Sequence, residues 1–299
     1  MRSARAFLRG IIDYAGLFPP ASLGMDASVR AYSTHRAGPD RDLLGRFVIP
    51  AARLTEFAES AGGLLPRSWG ERWQLSVIGG RRPDVASSAA LAFNSSHADG
   101  SDRGHAECDM IELLASSEDD VQRALAVVPD SIQLYLEIPV SAEPGNLLTA
   151  IAGTRAAAKI RTGGVTPDAV PSAHDVLRFM RACNAHGVPF KATAGLHHAV
   201  RADYALTYEA DSPVATMFGY LNIFLAAAAL EAEWPDDVVL SILEERDPAR
   251  FAFDDTGVSV GDRRLGMDQL ERSRANFARS FGSCSFTDPV NEARALALV

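Results

Sequence analysis

Lys159 and Lys191 each stand inside a short apolar run that ends in glycine, within AAAKIRTGGVTPDAVPSAHDVLRFMRACNAHGVPFKATAGLHHAVR, residues 156–201. A lysine in such surroundings either works as an amine or neutralises an acid on a neighbouring strand, because lysine is almost never fully buried without a partner. If both runs are strands, alternation puts Arg161 on the face of Lys159 and Thr193 on that of Lys191. Three cations then converge on one place. An amine attacks a carbonyl only after losing its proton, which a dry pocket or a nearby cation favours by drawing the pKa toward ~7 to 8. Lys191 and Arg161 are placed to do this for Lys159.

Between the two runs, Ser172 with Asp175 three positions on forms an N-terminal helix cap. Val176, Met180 and Cys183 then share one helical face, and Gly187 ends the helix. Strand, helix and strand in this order need a parallel sheet. The pattern recurs along the chain. GRFVIP (45–50), WQLSVIGG (73–80), CDMIELLA (108–115), SIQLYLEIPV (131–140) and SFGSCSF (280–286) read as strands. Helices are expected over 27–35, 51–61, 84–94, 119–128 and 146–152, with an exposed loop over 95–104. A first helix begins near Ala4, and GIIDYAGL (10–17) is either a strand or the end of that helix.

Counting 10–17 as a strand gives eight, the pattern of an α/β fold of the (β/α)8 TIM-barrel type spanning 1–299 as one domain. Without it, a seven-stranded or open sheet remains. The spacing between strands seven and eight exceeds one crossover, so an insertion is expected over about 200–266. It should hold a long apolar helix over 214–232, an acidic helix over 236–246 and a hairpin over 251–265 turning at 255–257. A helix over 267–280 follows. Ligands of such folds bind at the C-terminal ends of the strands, where Lys159, Arg161, Lys191, Glu137 and the glycine turns lie.

Net charge is −9, from 29 basic and 38 acidic residues with no basic run, which argues against nucleic acid and makes a local cationic cluster suit a small anionic ligand. Cys108, Cys183 and Cys284 are widely spaced and lack a CxxC pair, so neither a disulfide framework nor a zinc ribbon is expected, and a reducing cytoplasm fits. The N-terminal arginines lack the long apolar core of a signal peptide. The longest apolar run, 221–230, is too short to cross a bilayer, so no membrane partner is expected. That run reads as core or as the contact of a homo-oligomer.

Seven short patterns, in order along the chain, resemble the deoxyribose-phosphate aldolase family of class I aldolase barrels. They are Ile12-Asp13 through Leu17-Phe18-Pro19; Val48-Ile49-Pro50; Glu107-Cys108-Asp109-Met110-Ile111; Leu136-Glu137-Ile138; Lys159-Ile160-Arg161-Thr162-Gly163; Lys191-Ala192-Thr193-Ala194-Gly195-Leu196; and Gly282-Ser283-Cys284-Ser285. The resemblance implies a lysine Schiff base at Lys159, assistance by the charge of Lys191 and proton transfer by Asp109. It also implies substrate contacts from Glu137, Thr162, Gly195, Gly282 and Ser283, and from Asp13 unless that residue only caps or pairs a lysine, while Arg161 and Thr193 by alternation and His197 as a loop residue are expected at the same place. Arg161 replaces a serine of the family, His197-His198 an arginine, and Cys284 a serine of the phosphate site. These departures shift the expected substrate from a phosphosugar toward a carboxylated or otherwise polar keto compound.

Adjacent residues of a strand point apart, so His197-His198 with Cys284 is not expected to hold a metal. No metal or cofactor is expected, because an imine is itself the electron sink. Cys284 reads as a small buried hydrophobe. Asp109 and Glu137 could instead merely neutralise the lysines. The leading expectation is a lyase of the class I aldolase type acting on a small anionic or polyhydroxylated carbonyl compound. Two alternatives are a barrel enzyme that clamps a carboxylate or phosphate without covalent chemistry, and a barrel that only binds such a ligand.

Overall fold

The computed structural model describes residues 1–140 and 143–299. The first half alternates helix and strand: α1 Arg2–Leu8, β1 Ile12–Tyr14, α2 Met25–Ala37, β2 Leu44–Pro50, α3 Leu54–Ala61, β3 Trp73–Gly80, α4 Pro83–Ser96, β4 Ala106–Leu114 and α5 Glu118–Val127. It continues with β5 Gln133–Glu137, α6 Gly145–Ile151, β6 Ala157–Arg161, α7 Ala173–Ala185 and β7 Phe190–Thr193. The inserted segment holds β8 Ala202–Ala205, β9 Val214–Met217, α8 Tyr220–Glu231, α9 Asp236–Glu244, β10 Phe251–Phe253, β11 Gly257–Val260 and β12 Arg263–Gly266. Then come α10 Met267–Asn276, β13 Ala278–Ser283 and α11 Thr287–Ala295.

Strands β1 to β7 and β13 close into a parallel barrel in the order β1-β13-β7-β6-β5-β4-β3-β2. The chain is therefore a (β/α)8 TIM barrel, and residues 12–14 supply the eighth strand. Side chains fill its interior in layers. Met110, Tyr135 and Ala157 pack there as a small cluster of their own, beneath Glu137 and Lys159, which follow one pleat later on β5 and β6. The helix between the lysines forms as its cap requires: Ser172 Oγ accepts a hydrogen bond from the Asp175 backbone N–H.

Three expectations are corrected. Residues 214–217 are not helical. They pair antiparallel with β8, and the helix begins only after Gly219, where any β-carbon would lie 2.3 Å from the Ala199 carbonyl oxygen. The segment 251–266 is a three-stranded sheet, β10-β11-β12, rather than a hairpin, because the chain reverses a second time at Gly261 (φ +62°). The stretch 95–104 is not wholly an exposed loop, since His97 is buried and its ring stacks on Phe93 at 4.0 Å.

Helix α8 is buried from Tyr220 through Leu230, packed against α7, α9, α10 and β13, so the run 221–230 is core and offers no face to a second subunit. The N-terminal helix is tied to the insertion. Ser3 Oγ donates to the Gly257 carbonyl at 2.9 Å, and the Arg2 N–H donates to Asp255 Oδ1 at the same distance. Among the described residues, no helix is long and apolar enough to cross a membrane.

Candidate active site

At the C-terminal end of the barrel lies a cavity of about 360 Å³. Its floor carries Glu112, Glu137, Lys159 and Lys191, with Arg161 at the side. Apolar side chains wall it, among them Phe18, Val48, Ile78 and Leu113, and the inserted segment adds Leu206 and Met217.

The charged groups form one alternating chain across the barrel. Lys191 Nζ lies 2.6 Å from Asp13 Oδ2 and 2.6 Å from Glu112 Oε1. The other Glu112 oxygen, Oε2, is 2.6 Å from Lys159 Nζ, which is 2.9 Å from Glu137 Oε2. Glu137 Oε1 then accepts from Arg161 Nε at 3.1 Å. The order is therefore Asp13, Lys191, Glu112, Lys159, Glu137, Arg161, minus and plus in turn. Bringing a charge out of water costs several kcal/mol unless it is paired and its remaining lone pairs are satisfied. Both conditions are met. Ser76 Oγ donates to Glu112 Oε1 at 2.6 Å, and Asp13 accepts from Ser280 Oγ at 2.8 Å and from the Arg46 N–H at 2.8 Å.

The register builds this chain. Lys159 stands opposite Glu137 on one side and Lys191 on the other, so a single layer of β5, β6 and β7 carries three of the six groups. Burial alone would push the Glu112 carboxyl up, but Lys159 and Lys191 outweigh it and hold the group well below the usual carboxylate range. Burial likewise works against the charged form of Lys191, and Asp13 and Glu112 reverse the effect, so its pKa is raised. Glu137 is lowered despite its burial, through Lys159 and Arg161.

Of the residues expected from the sequence, Lys159, Lys191, Glu137, Arg161, Thr193, Gly195, His197 and Gly282 border the cavity. The remaining four do not. Asp109 lies in the N-terminal half of β4, where Arg46 grips both its oxygens at 2.8 and 2.7 Å and Gln74 donates at 3.0 Å. It does not line the cavity, and its carboxylate is taken up by Arg46 and Gln74. Asp13 is fully buried beneath Lys191 and Thr162 is nearly so; the Thr162 hydroxyl is spent on the Ala194 carbonyl at 2.7 Å. Ser283 is buried with its hydroxyl 2.9 Å from His197 Nδ1.

Sequence reasoning also placed cations next to Lys159, whereas its nearest charges are the two carboxylates. The residue it missed is Glu112, three positions beyond Asp109. The signal was an acid inside the apolar run CDMIELLA. Another signal is compositional: of 29 basic residues, only Lys159 and Lys191 are lysines, and all others are arginine.

His197 is held neutral, its pKa pushed down to about 4 by burial and by His198. His198 binds Glu292 through Nδ1 at 2.6 Å and stacks on Tyr204. Cys284 Sγ is 3.8 Å from His197 Nδ1, and burial pushes the thiol up, which does not favour a thiolate nucleophile. Among the described residues, no group of three or more histidine, cysteine or acidic side chains is arranged to hold a metal ion.

No model of a known protein family matches the chain, and a search of curated proteins gave no match.

Proposed function

We propose that the protein is a lyase of the class I aldolase type, which joins Lys159 to a small carbonyl compound as an imine and makes or breaks a carbon–carbon bond. A TIM barrel with an open cavity at the C-terminal ends of its strands is a common enzyme scaffold. One observation carries the reading: Lys159 Nζ, in the cavity floor, is within 2.9 Å of two separate carboxylates, Glu112 and Glu137. Each is within direct reach of the ammonium proton, and because both carboxyls are held low in the resting site the transfer is coupled to carbonyl attack. That replaces the cation repulsion expected from the sequence.

The steps balance without a cofactor. Lys159 passes a proton to Glu137 and attacks the carbonyl carbon; a proton moves from the nitrogen to the new alkoxide, and the resulting carbinolamine hydroxyl takes the proton back from Glu137 and departs as water, leaving an iminium. In the cleavage direction, Glu137 takes the proton of the substrate's β-hydroxyl and the C–C bond breaks. Its electron pair moves to the iminium nitrogen, and an aldehyde departs. Reprotonation of the enamine and hydrolysis return the amine. Lys191, locked between Asp13 and Glu112, stays charged and acts through its field. The reading requires no metal, since the iminium serves as electron sink.

A second reading, a non-covalent anion clamp, is favoured by Arg161, which has one carboxylate partner and a half-exposed side chain. Reductive trapping separates the two. With a carbonyl compound and cyanoborohydride, the peptide containing Lys159 should gain the mass of the reduced adduct. An adduct confined to Lys191 would reverse the assignment, and none with any aldehyde or ketone would leave the clamp.

A further inference from the structure

We infer that the substrate carries one carboxylate beside its carbonyl group and a short apolar remainder, and that Arg161 selects it. The position of the carbonyl in this statement rests on the Schiff-base reading; the carboxylate and the apolar remainder do not.

Three cations border the cavity among the described residues. Lys191 and Lys159 each have two carboxylates. Arg161 meets one, Glu137, through Nε alone, and half of its side chain is exposed, so its terminal nitrogens have the capacity for an incoming anion. Arg161 lies two residues beyond Lys159 on the same strand face, so its guanidinium reaches the neighbourhood of the reacting carbon.

Charge sets the number of carboxylates. The chain holds three acids and three bases, and Arg161 is its one half-exposed member, so a single substrate carboxylate can share that guanidinium with Glu137 while a second would find no cation with an open side. The other anion seat common in this fold, the helix start after the last barrel strand, is taken up by an acid. Asp288 stands in the first turn of α11 and accepts from the Tyr208 hydroxyl at 3.0 Å. A phosphate at that seat would meet a carboxylate.

The walls set the remainder. Val48, Ile78, Leu113, Leu206 and Met217 offer no hydrogen bond, so hydroxyls on the part of a substrate that meets these walls would go unpaired. At ~30 Å³ per water-sized group, the cavity takes on the order of ten non-hydrogen atoms. The carboxylate also has a chemical effect. By drawing Arg161 toward itself it loosens that residue's hold on Glu137, which then accepts the Lys159 proton more readily, so the right substrate prepares its own nucleophile.

The test compares 2-oxohexanoate with its methyl ester in cyanoborohydride trapping, and measures calorimetric binding of 2-hydroxyhexanoate, which has no carbonyl and cannot form an imine. The acid should be trapped about 10- to 100-fold faster than the ester in the wild type. Arg161→Gln should bring that ratio close to one and weaken 2-hydroxyhexanoate binding by a similar factor, with Arg161→Lys between. Equal trapping of acid and ester, a ratio that survives Arg161→Gln, or 2-hydroxyhexanoate binding indifferent to Arg161 would each overturn the inference. If nothing is trapped but the hydroxy acid binds through Arg161, the carboxylate inference stands and the Schiff base falls.

Discussion

Glu112 holds a different lysine on each of its two oxygens, so removing its charge is felt twice. Glu112→Gln should cost on the order of 3–5 kcal/mol in stability, because two buried ammonium groups lose a partner. It should slow reductive trapping only through the displaced Lys159, whereas Glu137→Gln, which removes the proton acceptor itself, should slow it on the order of 10²-fold or more. Asp109→Asn should behave differently: the Arg46 pair weakens and stability falls, but trapping at Lys159 stays within a few-fold of wild type. Urea unfolding and trapping kinetics of the three variants check these outcomes, and a large trapping defect in Asp109→Asn would return that residue to the mechanism. That the two lysines share one place was legible from alternation and from the apolar runs around them, and both line the cavity. Glu112 was not legible, because the Glu-x-Asp pattern drew attention to Asp109. A register shift where β3 meets β4, between Cys108 and Met110, breaks simple alternation there. The lysine count was in view throughout: a chain that otherwise uses only arginine places lysine at two positions, both in the cavity floor.

The turns after β6 and β7 lock together through two glycines. Gly195 has φ +78°, and its Cα approaches Gly163 so closely that a β-carbon on it would sit 3.0 Å from the Gly163 Cα. Gly195→Ala is therefore both strained and crowded. It should destabilise the protein by about 1–3 kcal/mol and shift Thr193 and Ala194, which border the cavity. Thermal unfolding together with the KM of a trapped carbonyl compound would show it; an unchanged KM alongside reduced stability would mean that the turn is scaffold only. Elements with strict periods were readable from sequence, which is why seven of the eight barrel strands and the helix between the lysines fell near their expected places. The inserted hairpin was not. Val214–Met217 runs almost unbroken into the apolar helix that follows, and only Gly219 marks the seam. Nothing local announces that 202–205 will pair with it or that Leu206 and Met217 will wall the cavity.

For the molecule as a whole, the six-group chain sets a pH window. Glu112 and Glu137 have lowered pKa values, so their contribution is present above the ordinary carboxylate value of about 4.3 and is lost as pH falls through their folded values. Lys191 is raised, so its contribution is present below about 10.4 and is lost as pH climbs through its folded value. The urea midpoint should be nearly flat between pH 5 and pH 10, as far as these groups decide it, and fall on both sides. A steep slope across that plateau would show that other groups govern stability. The placement of both lysines inside the barrel has an outcome that is not energetic. Outside the cavity the folded chain presents no ε-amine, so an acylating reagent meets Lys159, 7% exposed through the cavity mouth, and reaches Lys191, 1% exposed, only when the barrel opens. The chain thus carries a built-in counter of its own opening events, read as acyl groups per molecule against time.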